Sequence, residues 1–408
     1  MNKLKTVDHL NLIAGDDQCP CCGGMSRRDF MRISTMLAAA SVLPSPIVKA
    51  EDRPLRIGYL PITDASPLLI AHALGYYQEE GVEVDKPTLF RSWAQIVEAF
   101  IAGQIDVIHI LAPTALWMRY SGKIPAKIVA WNHVNGSALT VRPDIVTLDR
   151  LAGETVAIPF WYSIHNVALQ YLLREHNLTV AAPGQSVKSS DRAVKLVVMP
   201  PPDMVSALAI GKIAGFIVAE PFNALAETVN AGKIYRFTGD LWQSHACCVV
   251  FMHEADLTKR PEWSQKVVNA LVKAQSWLRS NRAEGARLLS KAGEHKYTPH
   301  EPKVLERALS HYDTEEYGPI GAIRNPEWQG RRVDFQPYPY PSYTERLVEL
   351  LKQTYVEGDS AFLNDLDPAF VAGDLVDDRW VRNAIEKAGG LSSFGIEGGY
   401  RRQEILKI

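Results

Sequence analysis

The stretch LVVMPPPDMVSALAIGKIAGFIVAEPFNALAETVNAG, residues 196–232, decides the fold. It contains one theme twice: a short apolar run, a loop with proline, and a helical pattern. Working outward, TVAIPFWYSIHNVALQYLLREHNL (155–178) has the same form, and DVIHILAP (106–113) is a strand that runs into a helix at Thr114 to Tyr120. Further upstream, SWAQIVEAFIAG (92–103) is a helix. Ser92 and Gln95 stand three apart as a capping box, and Gly103 closes it. LRIGYLP (55–61) reads as a buried strand and DASPLLIAHALG (64–75) as its helix, with Ser66 to cap, Pro67 in the first turn and Gly75 at the end. Strand, loop and helix repeated in this way predict an α/β protein with mostly parallel sheets. Ligands of open α/β sheets bind in the loops at the carboxyl ends of the strands. Downstream of about residue 258 the pattern changes to amphipathic helices, at 261–281 and 342–358. Between them DFQPYPYPSY (334–343) is predicted to lie extended over the surface.

The 408 residues carry 44 Lys+Arg against 46 Asp+Glu, a net charge of −2, which gives no basis for binding nucleic acid or a membrane surface. The length suffices for about two domains with proper cores. Residues 1–50 read as a twin-arginine export signal. Arg27 and Arg28 precede an apolar run, Ile33 to Leu43, and Val48, Lys49 and Ala50 form a small-x-small cleavage site. That run falls short of the roughly 20 apolar residues a membrane span needs. The expectation is a soluble, monomeric periplasmic protein. Cys19, Cys21 and Cys22 lie in this leader and lack the second ligand pair of a zinc knuckle. The later cysteines are an adjacent pair, Cys247 and Cys248, so no disulfide framework holds the fold. GxSxG, HExxH, GxxxxGK[ST] and GxGxxG after a strand are all absent. An exported two-domain α/β chain without catalytic, metal or cofactor signatures suits a non-enzymatic protein that closes on a small molecule.

The detail of several segments resembles the solute-binding proteins of nitrate/bicarbonate-type ABC transporters, whose wider group includes sulfonate and taurine binders. The segments are GYLPITDASPLLIAHALGYYQEEGVEV, SW at 92–93, HILAP, FWYSIHN and, above all, residues 198–245 with PPPxMV, EPFNA and TGxLWxxH. The resemblance covers most of 53–290. It implies a two-lobed, type II periplasmic binding-protein fold. One lobe would comprise 53–148 plus 247–408 with a helical extension, and the other 149–246. The ligand, a nitrate-, nitrite-, bicarbonate- or cyanate-like anion, would lie between them, and a membrane permease and its ATPase would be the partners. The family's ligand residues fall on Trp93, His165 and Glu220. Three residues after the histidine of TGxLWxxH the anion binders carry lysine. Here His245 is followed at that distance by Cys248.

The residues themselves support these positions to different degrees. Ser163, Ile164, His165 and Asn166 open a helix whose free N–H groups suit an oxyanion, and His165 adds a donor. Trp93 offers an indole N–H and a flat wall. Trp161 and Tyr162 flank the helix start and are placed to close over a ligand. His109 faces either cleft or core. Ser66 either caps or binds, and Asp64 reads as a cap. Glu220 and Asn223 suit capping or a hinge as well as ligand contact. His133 sits near the crossover between lobes. If ACCVVF is a returning strand, successive side chains alternate, which sends Cys248 to the cleft and Cys247 to the core. A bridge between adjacent cysteines would be strained. A thiol in place of an ammonium leaves two other ligands in view: an organic sulfonate or a pyrimidine-type ring. A different class is an iron or copper site joining Cys247 or Cys248 to His109 and His165. A sensor using the same cleft is a further reading.

Overall fold

The computed structural model describes residues 53–310 and 312–408. The leader with its arginine pair and three cysteines lies outside them. In chain order the strands are β1 Ile57–Tyr59, β2 Thr88–Leu89, β3 Val107–Leu111, β4 Ala126–Trp131, β5 Val134–Asn135, β6 Ser137–Val141 and β7 Thr155–Ile158. They continue as β8 Thr179–Val180, β9 Ala193–Val198, β10 Gly215–Ala219, β11 Lys233–Phe237, β12 Cys248–His253 and β13 Val333–Asp334. One sheet runs β2–β1–β3–β12–β4, a second runs β11–β6–β10–β7–β9–β8, and β13 pairs β5.

The sheets are mixed rather than mostly parallel. β1 runs parallel to β2 and β3, as do β7 and β9 to their neighbours. β12 is antiparallel to β3 and β4, and β6 to β10 and β11. The physical reason is connectivity. β6 brings the chain into the second sheet and β12 returns it to the first. Neither is joined to its neighbours by the helical crossover that forces parallel pairing. β6 also lies in the second sheet, although the resemblance implies that residues up to 148 go with the first. No local residue pattern marks the change of sheet.

The two crossings lie side by side. Val134 forms an antiparallel bridge with Ala246. The Asn135 N–H donates to the His245 carbonyl at 2.8 Å, and the Asn132 N–H to the Cys248 carbonyl at 3.1 Å. Each sheet has its own core. Helix Ile164–Glu175 buries Leu169, Leu172 and Leu173 against Leu139, Val156 and Ile158 of the second sheet. The 20-residue helix Pro261–Ser280 buries Val267, Val268, Leu271, Val272 and Leu278, a 3.6-residue stripe. It packs on helices Ser66–Ala73 and Arg379–Lys387. No helix among the described residues is long and apolar enough to cross a membrane.

Two helix starts follow the sequence and one does not. Ser92 accepts from the Gln95 N–H at 3.4 Å, while the Gln95 side chain accepts from the Arg91 N–H at 3.1 Å. Ser163 accepts from the Asn166 N–H at 3.0 Å. Ser163→Ala is therefore expected to cost about 1 kcal/mol of unfolding free energy in a urea titration; a loss near zero would deny the cap. Ser66 is not a cap. A 3-10 turn, Thr63–Ala65, precedes it, and its hydroxyl donates to the Thr63 carbonyl at 2.6 Å. Of the DFQPYPYPSY stretch, residues 334–340 are extended but largely buried rather than exposed, and Pro341 starts a helix, Pro341–Lys352. Phe335, Tyr338, Tyr340 and Tyr343 are all buried, with Tyr340 and Tyr343 against the Trp131 ring at 5.6 and 5.0 Å. The edge strand β4 presents that ring, and covering it removes more apolar surface from water than solvating the prolines would gain.

Candidate functional site

The crossings and the turn after β1 bring four buried side chains together: Asp64, His133, Cys247 and Cys248. One ligating atom from each lies within 4.8 Å of all the others. His133 Nε2 stands 2.9 Å from Asp64 Oδ2, and both side chains are fully buried. Both thiols are free. Cys247 precedes β12 and Cys248 is its first residue. The expected alternation therefore does not reach this pair, and both thiols face the same cluster. Asp64 and His133, rather than the His109 and His165 named from sequence, complete this four-residue group with the thiols. His109 is held elsewhere, and His165 Nε2 lies 3.8 Å from Cys247 Sγ, with Ser137 Oγ at 2.9 Å.

Burial and neighbouring charge set the proton positions. Burial, helped by Cys247, lifts the Asp64 carboxyl to about 6 against the pull of His133. Burial opposes charge on His133, yet Asp64 and Cys247 outweigh it and raise the imidazole to about 10. Burial also opposes a Cys247 thiolate. The Cys248 S–H and the imidazoles of His165 and His133 overcome it and hold Cys247 well below the ordinary thiol range. Burial and the adjacent sulfur push Cys248 up, so it keeps the proton it donates to Cys247.

Beside this cluster stands a set of unpartnered donors. Burial drives His109 down to about 3, so its ring is neutral. Its Nε2 accepts from the Leu60 N–H at 2.9 Å, which leaves the proton on Nδ1. That Nδ1 has no hydrogen-bond partner, and neither has Trp93 Nε1, whose ring centroid is 5.4 Å from that of His109. Asn132, at the start of the first crossing, has both amide atoms unpartnered, and His165 has Nδ1. Buried polar atoms in native folds are nearly always paired, so these atoms are candidates for contact with a guest.

Other predicted residues are engaged structurally. Glu220 pairs with Arg332 and accepts from the Ala224 N–H at 3.0 Å. Its carbonyl accepts from the Thr63 N–H at 2.9 Å, tying the second sheet to the turn that carries Asp64. The Asn223 side chain bonds Thr140 and the Val218 carbonyl. Asn166 donates to the Trp161 and Tyr355 carbonyls. Tyr162 stacks on Trp117 at 5.8 Å, and Trp161 meets Tyr355 edge-on at 5.7 Å. A surface hollow of about 550 Å3, lined by residues including Arg307, Glu316 and Arg332, shares none of the crossing residues. Its two arginines are already paired with Glu227. Asp64 reads from sequence as a cap and Asn132 carries no local signal, and no spacing links either to residue 247.

The comparisons with known proteins agree with this architecture. The NMT1-like family model matches residues 48–292. The nitrate/nitrite binding protein NrtA of Nostoc sp. (strain PCC 7120) is 26% identical over 352 residues, covering 80% of this chain and 76% of that protein. The nitrate import ATP-binding protein NrtC of Synechocystis sp. (strain PCC 6803) is 30% identical over 233 residues. That is 54% of this chain, which spans only 34% of that relative's length. Among solved structures, the periplasmic nitrate-binding protein NrtA from Synechocystis PCC 6803 superposes with a TM-score of 0.67 at 19% identity, covering 86% of this chain and 92% of that one. That likeness establishes the periplasmic binding-protein fold that the EPFNA and TGxLWxxH motifs implied. With more than half its length matched, the chain belongs to the NMT1-like family.

Proposed function

We propose that this protein is the substrate-binding subunit of an ABC importer. It captures a small solute bearing hydrogen-bond-accepting oxygens between its two sheets and delivers it, in the periplasm, to a permease and ATPase. The similarity to the two nitrate-transport relatives supports the role. The observation that carries the solute class is the pair of buried, unpartnered donors, Trp93 Nε1 and His109 Nδ1, close enough to share one guest.

The charge around the crossings bears on the guest. Cys248 stands where the anion binders have lysine, and the nearest groups include the Asp64 carboxyl and the Cys247 thiolate. Losing an ion-paired hydrogen bond costs about 1.5–3 kcal/mol. A bare nitrate- or bicarbonate-like ion thus relies on the donors and on the His133 imidazolium. A sulfonate or a pyrimidine-type ring with exocyclic oxygens uses the same donors.

A thermal-shift screen of the purified protein with nitrate, nitrite, bicarbonate, cyanate, sulfonates and pyrimidines tests this reading. Calorimetry on Trp93→Phe follows for any hit, and the expected result is a ten- to hundredfold weaker affinity. Unchanged affinity would remove Trp93 from the site, and a screen with no melting shift for any solute would sink the carrier role.

A further inference from the structure

We propose that Asp64, His133, Cys247 and Cys248 form a binding site for a borderline-soft divalent transition-metal ion, Zn2+ or Fe2+. The argument starts from the donor set. Two sulfurs, one imidazole and one carboxylate make four ligands of the types that such ions take, and sulfur disfavours Ca2+ or Mg2+. All four side chains are completely or almost completely buried, whereas an adventitious surface cluster would be solvated. Their ligating atoms lie within 4.8 Å of one another, and the closest identified pair, His133 Nε2 and Asp64 Oδ2, is at 2.9 Å. These separations bracket the edges of roughly 3.3–3.8 Å in a tetrahedron with metal–N/O and metal–S bonds of about 2.0 and 2.3 Å.

A second observation points the same way. No N–H or O–H donor reaches Asp64 Oδ1, and His133 Nδ1 has no partner, although both residues are buried. The surroundings also look prepared. The Ser137 hydroxyl approaches Cys247 Sγ at 3.7 Å, and the Tyr343 hydroxyl donates to the Ala246 carbonyl at 2.7 Å, pinning the backbone that precedes the thiols. Gly136 adopts a φ of +85°, and a Cβ there would come within 2.9 Å of His133 Cε1, so only glycine lets the crossing pass that ring. The ligands come from three segments: the turn after β1 and both crossings. An ion held by them would bind the two crossings to each other and to the first sheet.

The site adjoins the proposed solute chamber and in that sense rests on the importer reading, but its occupancy is measured without any solute. The test uses the full chain with Cys19, Cys21 and Cys22 replaced by serine, so that Cys247 and Cys248 are the remaining thiols. The protein is reduced, stripped with a chelator and titrated anaerobically with Co2+. The expected result is one equivalent bound, with a thiolate-to-cobalt charge-transfer band that Zn2+ abolishes. Cys247→Ser and Cys248→Ser should each diminish the band, and Asp64→Asn and His133→Gln should weaken Co2+ binding at least ten- to hundredfold. His165→Gln should leave it unchanged. Metal analysis of the unstripped protein covers the case in which a variant fails to fold, and should find close to one zinc or iron per chain. No band and no metal would overturn the proposal. A band lost in His165→Gln but kept in Asp64→Asn and His133→Gln would overturn this ligand set. Solute melting shifts run on the stripped and loaded protein separate the two readings. Solute binding without Co2+ binding removes the metal alone, and Co2+ binding without any solute removes the importer role alone.

Discussion

Replacing Arg332 by methionine is expected to lower the unfolding free energy by about 3–5 kcal/mol, read from urea denaturation at neutral pH. The Arg332 side chain is 0% exposed and the Glu220 side chain 1%. Two guanidinium nitrogens bond Glu220 Oε1, Nε at 3.1 Å and Nη2. Nη1 reaches Glu227 Oε2 at 3.2 Å and the Tyr317 hydroxyl at 3.0 Å. The cation also lies over the Phe237 ring, 5.1 Å from its centroid. Burial on its own lifts the Glu220 carboxyl, and Arg332 is the main force against that. Methionine would fill much of the volume but leave a buried carboxylate without its counter-ion, which is where most of the cost arises. Adding Glu220→Gln should restore at least about 1 kcal/mol, because the uncompensated charge is then gone. A single-variant loss below about 1 kcal/mol would show that water reaches Glu220. The consequence extends to the site, since the Glu220 carbonyl holds the Thr63 turn and so the position of Asp64.

The second large effect is with pH. Stability should fall steeply as the solution is acidified from about 6.5 towards 4. His109 and His300 are buried and neutral. Burial lowers the first to about 3 and the second to about 4 from an ordinary 6.5. The sign follows from linkage. Above 6.5 neither the folded nor the unfolded chain protonates these rings, and their contribution to stability is at its full value. Between 6.5 and the folded values the unfolded chain takes up protons that the native state refuses, so stability drops with each step down. For His300 the loss approaches about 3 kcal/mol by pH 4, and His109 adds a similar amount. Geometry supports the direction at His109, whose Nε2 accepts the Leu60 N–H, which a protonated ring cannot do. His300 sits edge-on to Phe222 at 5.2 Å, and its burial outweighs the opposing pull of the Pro61 carbonyl 3.3 Å from Nε2. Melting temperatures across this range check the prediction. His300→Gln should flatten the acid limb, and an unchanged limb would mean that the ring is protonated in the fold.

Much of the fold could be read from local patterns. The apolar runs around Val107–Leu111 and Gly215–Ala219 are strands buried along their whole length, and the serines at 92 and 163 cap the helices that follow. Both signals act within a few residues, which is the range over which hydrophobic period and capping operate. Strand direction was less legible. β6 and β12 run antiparallel because the chain changes sheets there, and no residue type encodes a change of sheet. The buried path of DFQPYPYPSY was also hidden. Its prolines and tyrosines describe an extended backbone equally well on the surface or beneath it, and the Trp131 ring of edge strand β4, which Tyr340 and Tyr343 cover, decided between them.

The candidate site divides in the same way. The α/β class, the family resemblance and the capped turns that carry Trp93 and His165 were legible in the sequence, since each is a property of a short contiguous segment. That Asp64 and His133 share one cluster with both thiols, and that Cys247 faces the same way as its neighbour, emerged only in three dimensions. These facts depend on two chain crossings, separated by more than 100 residues, pairing through Val134 and Ala246. Burial within that pairing, and not residue type, sets which ring is charged and which is neutral. Desolvation and a nearby carboxylate are long-range effects that no local stretch of sequence contains.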